Sequence, residues 1–222
     1  MSTQLVVTES IQLTQTKAPA LPFAPVQYDR GYHDTLNNIL RQYFNTLDNF
    51  VAQLETSAGG SGAGLYLPYG SFCDLTDQTA ASTTVAYAVA FNTTELSSGV
   101  TLSNTSRLNV TNAGIYNLQF SLQFKNTDNA GHDVDVWIRK NGTNVANSNS
   151  RFHVEQRKSV IDPSHLIAAL NVFVDMAAND YVEIMWRTAN TAVSLEHYPT
   201  STTPDRPAVP SAIATLSFVS AV

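Results

Sequence analysis

Apolar and polar side chains alternate almost without error from residue 114 to residue 124. Tyr116, Leu118, Phe120, Leu122 and Phe124 share one side of an extended strand, and Asn117, Gln119, Ser121 and Gln123 share the other. The first row predicts a core face. The second row is polar without a single charge, where a solvent face ordinarily carries Lys, Glu or Arg. Further period-two runs predict strands at 85–91, 171–176, 180–187, 191–196 and 212–219. Val134, Val136 and Ile138 alternate in the same way and lead into Asn141-Gly142, the strongest short hairpin signal. The segment 153–171 predicts a long loop with a short helical turn, and the proline-rich 199–210 a stiffened loop before the last strand. Many short strands punctuated by Gly, Asn and Pro predict a mainly β domain over 67–222, a sandwich or jelly roll.

The pattern upstream is different. Leu36, Leu40, Tyr43, Leu47, Phe50 and Leu54 recur at alternating steps of four and three residues, the seam of a heptad helix over 31–55. Ile39, Phe44 and Val51 widen that seam beyond the narrow stripe of a two-stranded coiled coil, which predicts a trimeric stem. The alternative is an ordinary amphipathic helix packed on its own domain. Residues 56–66 form a Gly/Ser/Ala-rich joint that predicts a flexible linker. Residues 1–30 read as an extended arm. Leu5, Val7, Ile11 and Leu13 sit at strand spacing, and Pro19, Pro22 and Pro25 recur every third residue with Phe23 and Tyr28 beside them. Two readings stand for this arm: a tail without fixed structure, or an anchor that orders on a partner.

Composition sharpens the picture of the surface. Charged residues make up 14 % of the 222, well below the roughly 25 % of ordinary globular domains. Such a neutral polar surface suits a protein that lies against other protein surfaces. The net charge of −6 comes without a basic block, which speaks against nucleic acid as a partner. Cys73 is the single cysteine, so no intrachain disulfide forms. The first residues lack a basic start followed by an apolar run, and no stretch reaches the ~20 apolar residues of a membrane helix. The expectation is synthesis in a cytoplasm without membrane insertion. The glycosylation-type triplets at Asn92, Asn104, Asn109 and Asn141 then read as turns and strand ends.

Candidate chemistry is sparse, and the expectation is no enzyme, no metal and no cofactor. Asp162, Ser164 and His165 crowd together, but no nucleophile elbow accompanies them, and a turn explains "DPSH". His33, His132, His153, His165 and His197 show no zinc-ligand spacing beyond His153 and Glu155. Asp128, Asp133 and Asp135 fit a calcium site or solvated strand edges. Arg151, Arg157 and Lys158 form a small basic cluster facing a neighbour, an acidic glycan or water. Trp186 lies in a strongly apolar run and predicts core. Trp137 falls on the opposite face from Val136 and Ile138, which makes it the better candidate for a glycan contact.

The runs "LNVTNAGIYNLQFSLQF", "DVDVWIRKNGTNV", "DYVEIMW" and "AIATLSFV" together resemble the complement globular-head and tumour-necrosis-factor-like jelly rolls over roughly 68–222. Gly114 with Tyr116, Asn141 with Gly142, and Asp180 with Val182 carry the likeness. The segments "LPFAPVQYDRGYHDTLNNILRQYFNTLDNF" and "SFCDLTDQTA" resemble virion structural proteins of tailed bacteriophages of marine bacteria. That resemblance implies a homotrimeric fibre or decoration protein located in the virion. Its N-terminal arm would dock on other virion proteins, and one sheet of each knob would face the threefold axis. In that arrangement Asn117, Gln119, Ser121 and Gln123 lie at the knob subunit interface, where charges would meet their own copies and repel. The alternative it leaves is a host-attachment role, a tail-fibre tip recognising a host surface glycan.

Overall fold

The computed structural model describes residues 18–55 and 67–220. The chain divides into two compact units, Met1–Tyr66 and Leu67–Val222.

In the first unit the helix α1 spans Arg30–Glu55. Asp29 caps it: the Gly31 amide donates to Asp29 Oδ1 at 2.8 Å, satisfying one of the free amides of the first turn. Arg30 and Asp34 add an exposed i,i+4 pair. Leu36, Ile39, Leu40, Tyr43 and Leu47 are partly covered, whereas Phe44 is exposed. The side chains of Phe50 and Leu54 lie outside the described residues, as do the linker 56–66 and the early arm with Leu5, Val7, Ile11 and Leu13. Of the later arm, Pro19 and Pro22 are half-buried and Pro25 is exposed. Tyr28 stacks on His33 at 5.1 Å, and the Tyr32 hydroxyl donates to the Pro22 carbonyl. Phe23 is 99 % exposed.

The second unit is mainly β, built from two antiparallel sheets that share one core. The longer strands are β1 (Tyr69–Asp74), β2 (Thr93–Ser98), β3 (Val100–Ser103), β4 (Arg107–Val110), β5 (Gly114–Asn126) and β6 (His132–Lys140). There follow β7 (Ser150–Val154), β8 (Ser164–Met176), β9 (Tyr181–Thr188), β10 (Val193–Leu195) and β11 (Ala212–Ser220). The first sheet runs β8, β5, β11, β1, β2, with β10 beside the end of β5; the second runs β7, β6, β9, β4, β3.

The row Tyr116, Leu118, Phe120, Leu122 and Phe124 of β5 is buried, as its spacing predicts. It meets Val134, Val136 and Ile138 of β6 and Val182, Ile184 and Trp186 of β9 in one cluster. The Phe124 and Trp186 rings lie 5.7 Å apart and join the two sheets. Each such side chain contributes about 1.5–3 kcal/mol by leaving water. At Gly114 a Cβ would clash with the Phe218 ring, which itself meets Tyr116 edge-on. That contact explains why glycine stands two residues before the tyrosine. Asn141 and Gly142 both have positive φ, 49° and 81°, and turn β6 back on itself so that Arg139 pairs with Asn144.

Two expectations are corrected. The segment 153–171 is not a loop with a helical turn: residues 153 and 154 close β7, and β8 starts at Ser164 and pairs with β5 along its whole length. Its inward row is Leu166, Ala168, Leu170, Val172, Val174 and Met176. Ile167, Ala169 and Phe173 are also apolar but point outward, which masks the period of two. The run 85–91 forms a strand only at Tyr87 and Ala88, against Trp186 and Met185, with the Val89 amide adding a bond to the Ile184 carbonyl at 2.8 Å.

Candidate functional site

The two outward faces of the sandwich carry opposite chemistry. On the first sheet, the strand register places three residues side by side in each of three successive rows. These are Ala169, Ser121 and Ile213; Asn171, Gln119 and Thr215; and Phe173, Asn117 and Ser217. None of the nine is ionisable. Gln123 continues the middle column opposite Ile167. Phe173 is 66 % exposed and Ile167 58 %, with Ile213 and Val219 also open to solvent. Asn117 Oδ1 is buried without a hydrogen-bond partner. Unpartnered buried carbonyls are uncommon in finished interiors.

Across these three strands charge begins only at the ends; further along the same sheet Glu95 of β2 is exposed and accepts from the Ser71 hydroxyl of β1 at 2.9 Å. Asp175 lies opposite Ile115 at one end. At the other, Lys125 pairs with the buried Glu196, whose second oxygen lies 3.5 Å from His165 Nδ1. Burial, followed by a hydrogen bond with Glu196, pushes the nearby Tyr198 phenol up to about 12.

The outward face of the second sheet is a ladder of charges. Glu183 on β9 is buried and accepts from Arg139 Nε at 2.8 Å and from the Ser106 hydroxyl at 2.8 Å, with Arg107 Nε 3.7 Å away. Two residues along β9 and β6, Met185 pairs with Trp137. Two further along, Asp135 sits between two guanidinium groups. Arg151 Nε reaches it at 2.9 Å and Arg187 Nε at 2.8 Å. These hydrogen bonds, Arg151 first, hold the Asp135 carboxyl below the ordinary carboxylate range despite its burial. At the end of the ladder Asp133 accepts from His153 Nδ1 at 2.8 Å and raises the imidazole pKa.

An open cleft of about 380 Å³ lies on this face, lined by Asp135, Trp137, Arg151 and Arg187 and by the loop bearing Asn144, Asn147 and Asn149. The loop is fixed to the strand beneath it. The Val145 amide donates to the Ile138 carbonyl at 2.9 Å, and the Ile138 amide donates to Ser148 Oγ at 3.0 Å. The Trp137 indole donates to Asn144 Oδ1 at 2.8 Å, which orients the ring.

Of the residues singled out in the sequence, the structure brings Trp137 and Arg151 together with Asp135. It leaves Arg157 and Lys158 on a separate turn, where Lys158 approaches Asp162 at 3.7 Å. Ser164 opens β8, while His165 faces Glu196 and Tyr198. Asp128 accepts from His132 Nε2 at 2.7 Å. Trp186 is in the core at 1 % exposure. Among the described residues no three His, Cys, Asp or Glu side chains converge as a metal site would require, and no helix is long and apolar enough to cross a membrane.

Sequence reasoning missed Glu183, Arg139 and Arg187. The signal available was the charged members of the alternate rows of "DVDVWIRK" and "YVEIMWR": Asp133, Asp135 and Arg139 around Trp137, and Glu183 and Arg187 around Met185. Chain comparison adds no relative to this description: no protein-family model matches the sequence, and no curated protein matches it significantly.

Proposed function

We propose that the chain is a non-enzymatic bacteriophage virion structural protein, a homotrimeric fibre or decoration appendage. A jelly-roll knob follows a trimeric helical stem and an N-terminal arm that docks on other virion proteins. The observation that carries this reading is the outward face of the first sheet: three uncharged rows with open Phe173, Ile167 and Ile213. A face left to water for good gains nothing from excluding charge. A face that meets its own copy does, because like charges there would oppose one another while amides and hydroxyls hydrogen-bond across the contact at about 0.5–1.5 kcal/mol each. The partly covered seam Leu36, Leu40, Tyr43 and Leu47 gives the stem a stripe for the same purpose.

Native mass spectrometry of the full chain at micromolar concentration tests this, with a trimer expected and a clean monomer removing it. Deleting residues 1–30 should leave the trimer intact and abolish incorporation into particles. Normal incorporation would move the docking surface off the arm.

A second reading, a receptor-binding tip that recognises a host surface glycan, is favoured by one observation. Trp137 is half-exposed in a cleft with amide and guanidinium side chains rather than in the core.

A further inference from the structure

We infer that the Trp137 cleft is a site for an anionic saccharide, with the indole as the stacking platform and Arg151 and Arg187 as the readers of the acidic group. This names the ligand class for the glycan reading and rests on it. The cleft joins three features that a sugar with a carboxylate or sulfate needs at once.

The first is a flat apolar surface. Sugar rings present a face of C–H groups that packs on an aromatic ring, and the Trp137 ring is held in place through its nitrogen by Asn144. The second is a set of groups that both donate and accept, to match hydroxyls. Asn147 and Asn149 supply side-chain amides, on a loop tied to β6 by backbone and Ser148 hydrogen bonds, so little ordering entropy opposes binding.

The third is positive charge left over after internal pairing. A guanidinium has five N–H donors. Arg151 directs two nitrogens at Asp135, at 2.9 and 3.4 Å, and Arg187 directs two, both at 2.8 Å. Two cations thus flank one carboxylate, and both remain about half open, at 60 % and 47 % side-chain exposure. Within the cleft lining the surplus is one positive charge, held in position by an anion that is itself buried; Asp133, whose charge also reaches Arg151, is paired with His153 outside the lining. That is the arrangement which fixes a guanidinium fork for an external carboxylate. The contrast with the other carboxylate of the ladder is informative. Glu183 is enclosed by Arg139, Arg107 and Ser106 and does not line this cleft.

The chain has two tryptophans, so an amide proton–nitrogen spectrum of the full-length protein shows two indole signals, and that of Trp137 is assigned by its loss in Trp137→Phe. The probes are a hexamer of mannuronic acid, the neutral mannose hexamer and inorganic phosphate. The acidic hexamer should move the Trp137 signal and leave that of Trp186 in place, with about tenfold or greater preference over the neutral hexamer. Arg151→Gln, a change at an exposed side chain, should remove that preference, and Trp137→Ala should abolish binding of both sugars. Equal binding of the two hexamers, or a preference that survives Arg151→Gln, overturns the inference and leaves the glycan reading standing. No response to either hexamer overturns both. If phosphate alone reproduces the shift, the cleft is a simple anion site and the saccharide assignment falls.

Discussion

The outward faces of the two sheets are made by antiparallel strands over one core, yet they solve the problem of their outer side differently. Along β5 the outward row is Asn117, Gln119, Ser121 and Gln123, and its neighbours on β8 and β11 add no charge. Along β6 it is Asp133, Asp135, Trp137 and Arg139, and β7 and β9 supply a counter-charge opposite each ionised member. Alternation tells only which side is the core; the chemistry of the other row tells what that side meets. A ladder whose acids all find a base within the subunit can stand in water, with the second guanidinium at Asp135 left over. The uncharged face has open aromatic and aliphatic groups and an amide carbonyl without a partner, the features on which the proposed subunit contact rests.

The comparison is most strongly tested at Glu183. It is 3 % exposed and holds Arg139, Arg107 and Ser106, so Glu183→Ala leaves two guanidinium groups without their anion. The expected loss is about 3–5 kcal/mol in urea unfolding, the range for breaking one partner of a buried pair. A loss below about 1 kcal/mol would show that water replaces the carboxylate and that the ladder is decorative.

On the other face the equivalent insult should act on assembly and not on folding. Gln119 stands in the middle of the central uncharged row and is exposed. Gln119→Glu should leave unfolding of the subunit unchanged and weaken self-association by about a hundredfold, read by sedimentation or native mass spectrometry, because the copies would bring like charges together. Undisturbed association would place the contact elsewhere.

Asp135 gives a pH signature that the uncharged face cannot produce. Its pKa is lowered in the folded state, so its contribution to stability is present above the unfolded value, about 3.9, and is lost as pH falls through the folded value. Asp135→Asn should cost about 1–3 kcal/mol at neutral pH, and its stability should fall less steeply than that of the parent on acidification below about pH 4. Parallel curves for the two proteins would assign the acid sensitivity to other carboxylates.

These contrasts also show what the sequence revealed and what it hid. The β5 rows, the Asn141-Gly142 turn and the helical seam are local patterns, each complete within one continuous stretch of chain. The first half of β8 was hidden by the outward Ile167 and Ala169, whereas its second half was legible as the strand 171–176. The ladder was hidden by distance along the chain: Arg139 meets Glu183 44 residues away, and Arg187 meets Asp135 52 away. Trp137 was legible as an outward aromatic, but Asn147 and Asn149 join it only through the path of the loop.

The smallest expected effect lies at Gly142, and it asks whether the two faces are independent. Gly142 sits at φ 81°, in the left-handed region that disfavours a side chain, at the turn that starts the cleft loop. A Cβ there would meet nothing closer than the Tyr181 hydroxyl at 3.6 Å, an ordinary contact, so Gly142→Ala adds backbone strain without a clash. The cost should be about 1 kcal/mol. The pairs Arg139 with Asn144 and Lys140 with Thr143 close the hairpin directly behind the turn, and Asn141 anchors its first position through Asp180 and the Tyr181 amide. The strain should therefore remain within the hairpin. Unfolding should shift by that amount while the association constant of the full chain stays at its parent value. A matching change in association would mean that the hairpin and the uncharged face move together, and the two outward faces could no longer be treated as separate surfaces.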